Sequence, residues 1–149
     1  FTGRKMPAES QAAPRLLLLA LLVGIVAASA HELPGKLHDF YTTYEIVQEG
    51  EGPVVQRGST VTVHATGSVK ETGKKFWSTK DQGQKPFTYQ AGVGKVIVGW
   101  DQGCLGMKKG EIRKLDIPAH EGYGERGFPA WGIPADGGLQ FEIEVLDIK

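Results

Sequence analysis

The sequence predicts an α+β domain in which one antiparallel sheet curls over a single short helix. Three observations carry this. Two segments alternate with period two: Val61, Val63 and Ala65 against Thr62 and His64, and Leu139, Phe141, Ile143 and Val145 against Gln140, Glu142 and Glu144. Such alternation marks strands with one face on a core and one in water, the habit of antiparallel sheets. Glycine is abundant, 21 of 149 residues, and falls between the apolar runs, where turns between short strands need it. Only one stretch, Ile97 to Leu105, reads as helix.

Taken in order, the chain opens with a leader over residues 1–30. Leu16 to Ala30 is an uncharged apolar run of 15 residues, short of the ~20 that a helix needs to span a bilayer. Arg15 precedes it and Ala28-Ser29-Ala30 closes it with a small-x-small pattern, the grammar of a secretory signal peptide cut between Ala30 and His31. Met6 is the expected start, and Phe1 to Lys5 lie upstream of it. An uncleaved anchor is the competing reading. After cleavage no membrane span is expected.

Residues 31–40 read as an N-terminal extension, and 41–149 as the domain. Tyr44 to Gln48 is a short strand, turned by Gly50-Glu51-Gly52-Pro53. Thr60 to Thr66 is the next strand, and Glu71 to Lys74 form a hairpin-type turn before a strand opened by Phe76-Trp77. The helix Ile97 to Leu105 holds two glycines, so packing through Trp100 and Leu105 must hold it rather than propensity. Ile112 to Ile117 alternates Leu115 and Ile117 against Lys114 and Asp116. The segment Ala119 to Gly138 is a long Gly- and Pro-rich loop, the kind that carries binding sites. Leu139 to Val145 closes the sheet.

Most reaction chemistries are excluded. Lys plus Arg and Asp plus Glu each number 17, so no basic footprint for nucleic acid exists. The histidines His31, His38, His64 and His120 lack metal-ligand spacing, and His64 sits on the polar face of a strand. Cys104 is the single cysteine, so no internal disulfide forms. Its setting, Cys104-Leu105-Gly106-Met107, is that of a small buried hydrophobe rather than a nucleophile. No phosphate loop, nucleophile elbow or zinc helix appears. The acidic residues read as scattered over outer strand faces, without a carboxylate pair. No metal and no cofactor is implied.

Aromatic residues near glycines remain: Phe76, Trp77, Phe87, Tyr89, Trp100, Tyr123, Phe128, Trp131 and Phe141. Trp100, Tyr123, Phe128 and Trp131 fall in turns and loops rather than at core periodicity. From Gly92 to Tyr123 the chain offers an indole for the floor of a pocket and a phenol for its rim. An activity built here must come from an apolar cavity.

The motifs VHATG (Val63 to Gly67), GKKF (Gly73 to Phe76), KPF (Lys85 to Phe87), VIVGWDQG (Val96 to Gly103), MKKGE (Met107 to Glu111), YG (Tyr123-Gly124) and FEIEVLDI (Phe141 to Ile148) resemble the FKBP-type peptidyl-prolyl cis-trans isomerases. The resemblance runs in order from Tyr44 to Ile148. It implies the FKBP-like fold, a sheet wrapped on a short helix, and a monomer that rotates X-Pro bonds in proline-containing polypeptides. It also implies binding of tacrolimus- and rapamycin-type macrolides. Carried over by motif, Trp100, Tyr123, Ile97, Phe76 and Phe141 make the catalytic surface, with Trp100 as floor and the Ile97 N–H and Tyr123 hydroxyl as hydrogen-bond donors. Phe87, Val96, Ile133, Phe128, Trp77 and Ala65 make the substrate-binding wall.

Two positions depart from the family's common pattern. Ala65 stands where an aromatic residue, usually tyrosine, is common, and Trp77 where an aspartate is. A methyl and an indole thus replace a polar wall. Two function classes follow: a prolyl isomerase assisting folding in the secretory pathway, in the endoplasmic reticulum lumen or outside the cell, and a binding or chaperone module with little turnover. A pocket collapsed by Trp77 is a third reading.

Overall fold

The computed structural model describes residues 34–149; the leader, its cleavage site and the start at Met6 lie outside the described residues. Nine strands and one helix follow in order. They are β1 (Gly35–Lys36), β2 (Thr43–Gln48), β3 (Glu51–Val54), β4 (Thr60–Val69), β5 (Lys75–Ser78) and β6 (Phe87–Gln90). Then come α1 (Val98–Gly103), β7 (Lys108–Lys109), β8 (Ile112–Ile117) and β9 (Leu139–Ile148). Seven strands form one sheet in the order β1-β2-β8-β9-β4-β5, with β6 also on β4, while β3 and β7 make a separate ribbon. Every pairing is antiparallel, and the predicted α+β architecture is the observed one.

The alternation read in the sequence sets the register. β4 pairs β9 with Ala65 opposite Ile143 and Gly67 opposite Phe141, so the inward residues of both strands share one face. Val61, Val63, Leu115, Ile117, Leu139, Ile143 and Val145 are all buried there. β4 is long enough to serve two partners on its other edge: Thr60 to Val63 pair with β6, and Thr66 to Ser68 with β5. That division leaves a notch between β5 and β6, above which the helix carries its tryptophan.

Helix α1 explains its own two glycines. A Cβ at Gly99 would lie 2.5 Å from Cγ2 of Ile117, and one at Gly103 2.9 Å from Cδ1 of Leu115. The pair, four residues apart on one face, lets the helix backbone press directly on β8. The cost of glycine in a helix, about 1 kcal/mol each, is offset by the packing this closeness permits. The helix is one turn shorter than expected: Ile97 is its N-cap and Cys104 its C-cap.

Four expectations change. Glu51–Val54, read as part of a turn, is strand β3; Gly52 at φ +82° and a register shift against β7 make it a bulged edge strand, where Gly and Pro are tolerated. Phe87–Gln90, assigned no element, is β6. The loop after β8 is organised by three short 3-10 turns, Ala119–Glu121, Gly124–Arg126 and Pro129–Trp131. The acidic residues are not confined to outer faces, since Asp101, Glu111 and Glu121 are buried. Among the described residues, no helix is long and apolar enough to cross a membrane.

Candidate active site

Trp100 projects from α1 into the notch and is almost fully buried. Phe141 of β9 meets its ring edge-on at 4.9 Å and Phe87 and Tyr89 of β6 do so at 5.9 Å each, while Trp77 of β5 lies tilted to it at 6.2 Å. Such edge-on pairs are favoured by the ring quadrupoles. Three strands and the helix thus converge on one indole because period-two alternation points these side chains to the same face. Phe76 joins through Phe141 at 5.7 Å. Gly67 makes room for both: a Cβ there would lie 2.5 Å from Phe76 and 2.6 Å from Phe141.

The loop after β8 supplies the other wall. Tyr123 and Phe128 lie 5.4 Å apart, and Phe128 meets Trp131 edge-on at 5.2 Å. Trp131 then reaches back to the sheet, near-parallel to Trp77 and to Phe76 at 6.2 Å from each. Phe128 and Trp131 stay exposed, 38% and 43%, while Trp77, Phe76, Phe87, Val96, Ile97 and Tyr123 are half-buried against the core. The result is one continuous aromatic basin with Trp100 at its base.

Two polar groups stand at its margin. Ile97 is the N-cap of α1, and the first intrahelical bond runs from the Asp101 N–H to its carbonyl at 2.9 Å. Its own N–H precedes the helical ladder and is open to a ligand. The loop that delivers it is held by Asp101, whose carboxylate accepts the Gly92 N–H at 2.7 Å and the Gly94 N–H at 2.9 Å. At the far end of α1, Arg113 donates to the Gly103 carbonyl at 2.9 Å and pairs with Glu111 at 2.7 Å, a cation placed where the helix dipole favours one. Tyr123, beside Phe128 in the loop after β8, carries a half-buried hydroxyl. Burial raises its pKa above the usual phenol value, so it keeps its proton, and its capacity to donate, at neutral pH.

The structure joins Trp100, Phe76, Phe87, Phe141, Trp77, Tyr123 and Phe128 in the basin, while Val96 and Ile97 are half-buried against the core. Ala65 and Ile133 are placed differently, at 2% and 1% exposure inside the core. Ala65 lies opposite Ile143 of β9, and its N–H is taken by Thr79 Oγ1 at 3.0 Å. Ile133 pairs through the backbone with Phe128 and supports the rim from below. Trp131, noticed as a loop aromatic, was not assigned to the pocket; its position in a Pro- and Gly-flanked turn was the available signal. Tyr89 was likewise noticed among the aromatics without being assigned to the pocket, and the three buried carboxylates were missed, because a single sequence does not tell an inward polar residue from an outward one.

The family model for FKBP-type peptidyl-prolyl cis-trans isomerases matches residues 52–146. The chain is 50% identical over 107 residues to peptidyl-prolyl cis-trans isomerase FKBP12 of Arabidopsis thaliana, covering 70% of this chain and 96% of that protein. It is 53% identical over 104 residues to the FKBP12 of Vicia faba, covering 68% and 93%. Against FK506-binding protein 2B of Rhizopus delemar it is 43% identical over 142 residues, 91% of this chain and 65% of that one. Matched by the family model over residues 52–146 and by curated members over nearly their whole length, the chain belongs to the FKBP-type peptidyl-prolyl cis-trans isomerases.

Proposed function

We propose that this chain accelerates cis-trans rotation of X-Pro bonds in the basin above Trp100, acting as a monomer on proline-containing segments of proteins that fold in the secretory pathway. The observation that carries the reading is an apolar basin with two hydrogen-bond donors at its margin and no titrating acid-base pair in it. Rotation of a prolyl amide is slow because the planar group must lose resonance as it twists. No bond is broken, so no nucleophile or general base is needed. The planar amide is the more polar form. Taking it out of water into a bowl of rings therefore disfavours it relative to the twisted form.

Trp100 supplies a flat, rigid face for the pyrrolidine ring, held by Phe141, Phe87 and Tyr89. The Ile97 N–H then anchors a substrate carbonyl while the preceding residue turns, and the protonated Tyr123 hydroxyl holds the chain on the other side. Each tenfold acceleration requires only about 1.4 kcal/mol, within reach of such contacts. Tacrolimus- and rapamycin-type macrolides, which present an apolar ring and carbonyl groups, suit the same surfaces. The relatives' FK506-binding names point to the same ligand class.

A second reading, a binding module with low turnover, is favoured by Trp77. Its indole lies 6.2 Å from both Trp100 and Trp131, narrowing the basin where an aspartate would leave it polar and wider. The deciding experiment is an isomerisation assay on a short X-Pro peptide, with and without rapamycin. Acceleration that the macrolide blocks supports the enzyme. Absence of acceleration by folded protein, restored by Trp77→Asp, establishes the binding module instead.

A further inference from the structure

A buried carboxylate lies just outside the basin. Glu121 is 5% exposed and occupies the turn two residues before Tyr123. Its Oε1 accepts the Tyr41 N–H at 2.6 Å, and its Oε2 accepts the Thr42 N–H at 2.8 Å together with the Thr42 hydroxyl. These partners precede β2, some 79 and 80 positions away in the chain. They also lie outside the segment matched by the family model, 52–146. Among the described residues, His120 is the one charged group that acts on the carboxylate, with Nε2 3.9 Å from Oε1.

Thr42 faces a second element as well. It is 0% exposed, and a Cβ built on Gly99 would come within 2.6 Å of its Oγ1. One hydroxyl therefore touches the first turn of α1, whose N-cap is Ile97, and the carboxylate under the turn that carries Tyr123. Thr42 thus joins the turn that precedes Tyr123 to the helix that begins after Ile97. Burying an ionised carboxylate is unfavourable unless its oxygens are satisfied. Here they are satisfied by the backbone of Tyr41 and Thr42 and by the Thr42 hydroxyl.

We propose that Glu121, acting through Thr42, is a positioning residue for prolyl isomerisation, holding the Tyr123 turn in register with the Ile97 amide. The proposal rests on the reading of the basin given above. It makes the chain just before β2 part of the catalytic apparatus although no atom of it reaches the substrate.

The test measures kcat and KM separately for the full chain and for Glu121→Gln, Thr42→Val, Thr42→Ser and Tyr123→Phe. Assays run at a temperature at which melting curves show each protein folded. Misplacing a group by about 1 Å can cost on the order of a hundredfold in rate. Thr42→Val and Glu121→Gln are therefore expected to lower kcat by about ten- to a hundredfold with KM little changed. Thr42→Ser, which restores the hydroxyl, is expected to recover most of kcat. Adding Tyr123→Phe to Thr42→Val should cost little more, since both act on one interaction. If Glu121→Gln does not fold, the near-isosteric Thr42→Val decides alone. Wild-type kcat in folded Thr42→Val, beside a reduced kcat in Tyr123→Phe, overturns the positioning role and leaves the basin reading intact. Wild-type kcat in Tyr123→Phe removes the basin reading and this proposal with it.

Discussion

Tyr89 carries a buried hydroxyl that faces the Cys104 thiol and the Trp100 indole N–H, with no hydrogen bond of good geometry to either among the described residues. Burial drives the Tyr89 pKa far above the ordinary phenol value, so the group is a neutral dipole in an apolar setting. An unsatisfied buried hydroxyl costs about 1–3 kcal/mol, whereas a phenyl ring loses nothing there. Tyr89→Phe is therefore expected to stabilise the fold by about 1 kcal/mol, read as a higher Tm in calorimetry. Glu121 shows the opposite balance. Burial, the largest single influence, raises its pKa, but the bonds from Thr42 and Tyr41 outweigh it and leave the value below 4.5. A carboxyl whose folded pKa is depressed stabilises the fold above its unfolded pKa and loses that contribution as pH falls through the folded one. The Tm gap between the wild type and Glu121→Gln should thus be constant near neutrality and close below pH 4.5, as melting curves across that range would show.

At the scale of elements, α1 depends on how near it sits to β8. Gly99→Ala would set a methyl 2.5 Å from Ile117 and 2.6 Å from Thr42, and overpacking of this kind costs about 1–3 kcal/mol. A lower denaturation midpoint at unchanged m-value would show it. At the other end of the helix, Arg113 is held between Glu111, the Gly103 and Leu105 carbonyls and the Tyr44 ring, 4.2 Å away. Arg113→Met strands Glu111 in the interior, a loss of about 3–5 kcal/mol. Adding Glu111→Leu should return most of it, and a double-mutant cycle measures the difference. The long alternating strands β4 and β9 and the VIVGW turn into α1 were legible because their periodicity reports burial. β3 and β6 were not. Four-residue strands interrupted by Gly and Pro, or opened by an aromatic after Pro86, carry too few periods to separate them from turns. The aromatic floor of the site was legible through the family motifs that carry Phe87, Trp100 and Phe141, since Trp100 falls in a turn where periodicity says nothing. The carboxylates beneath it were not, since Asp101, Glu111 and Glu121 are buried by partners that only the folded chain supplies.

Across the whole molecule, Cys104 lies at the heart of the packing, fully buried and free. Burial pushes its thiol up to about 12, which removes the thiolate needed for reaction. In native conditions an aromatic disulfide reagent should label it only through opening of the structure, at a rate that climbs with denaturant. Immediate labelling of the folded protein would show a local opening near α1.

The aromatic basin has one more consequence. All three tryptophans of the chain, Trp77, Trp100 and Trp131, stand in it. Light absorbed by indole alone is therefore absorbed in the cleft, and the scaffold is silent at those wavelengths. A ligand that displaces water from these rings will change the emission without any label. By the same arrangement, a change in emission on heating speaks first for the cleft, and the sheet must be followed by another signal.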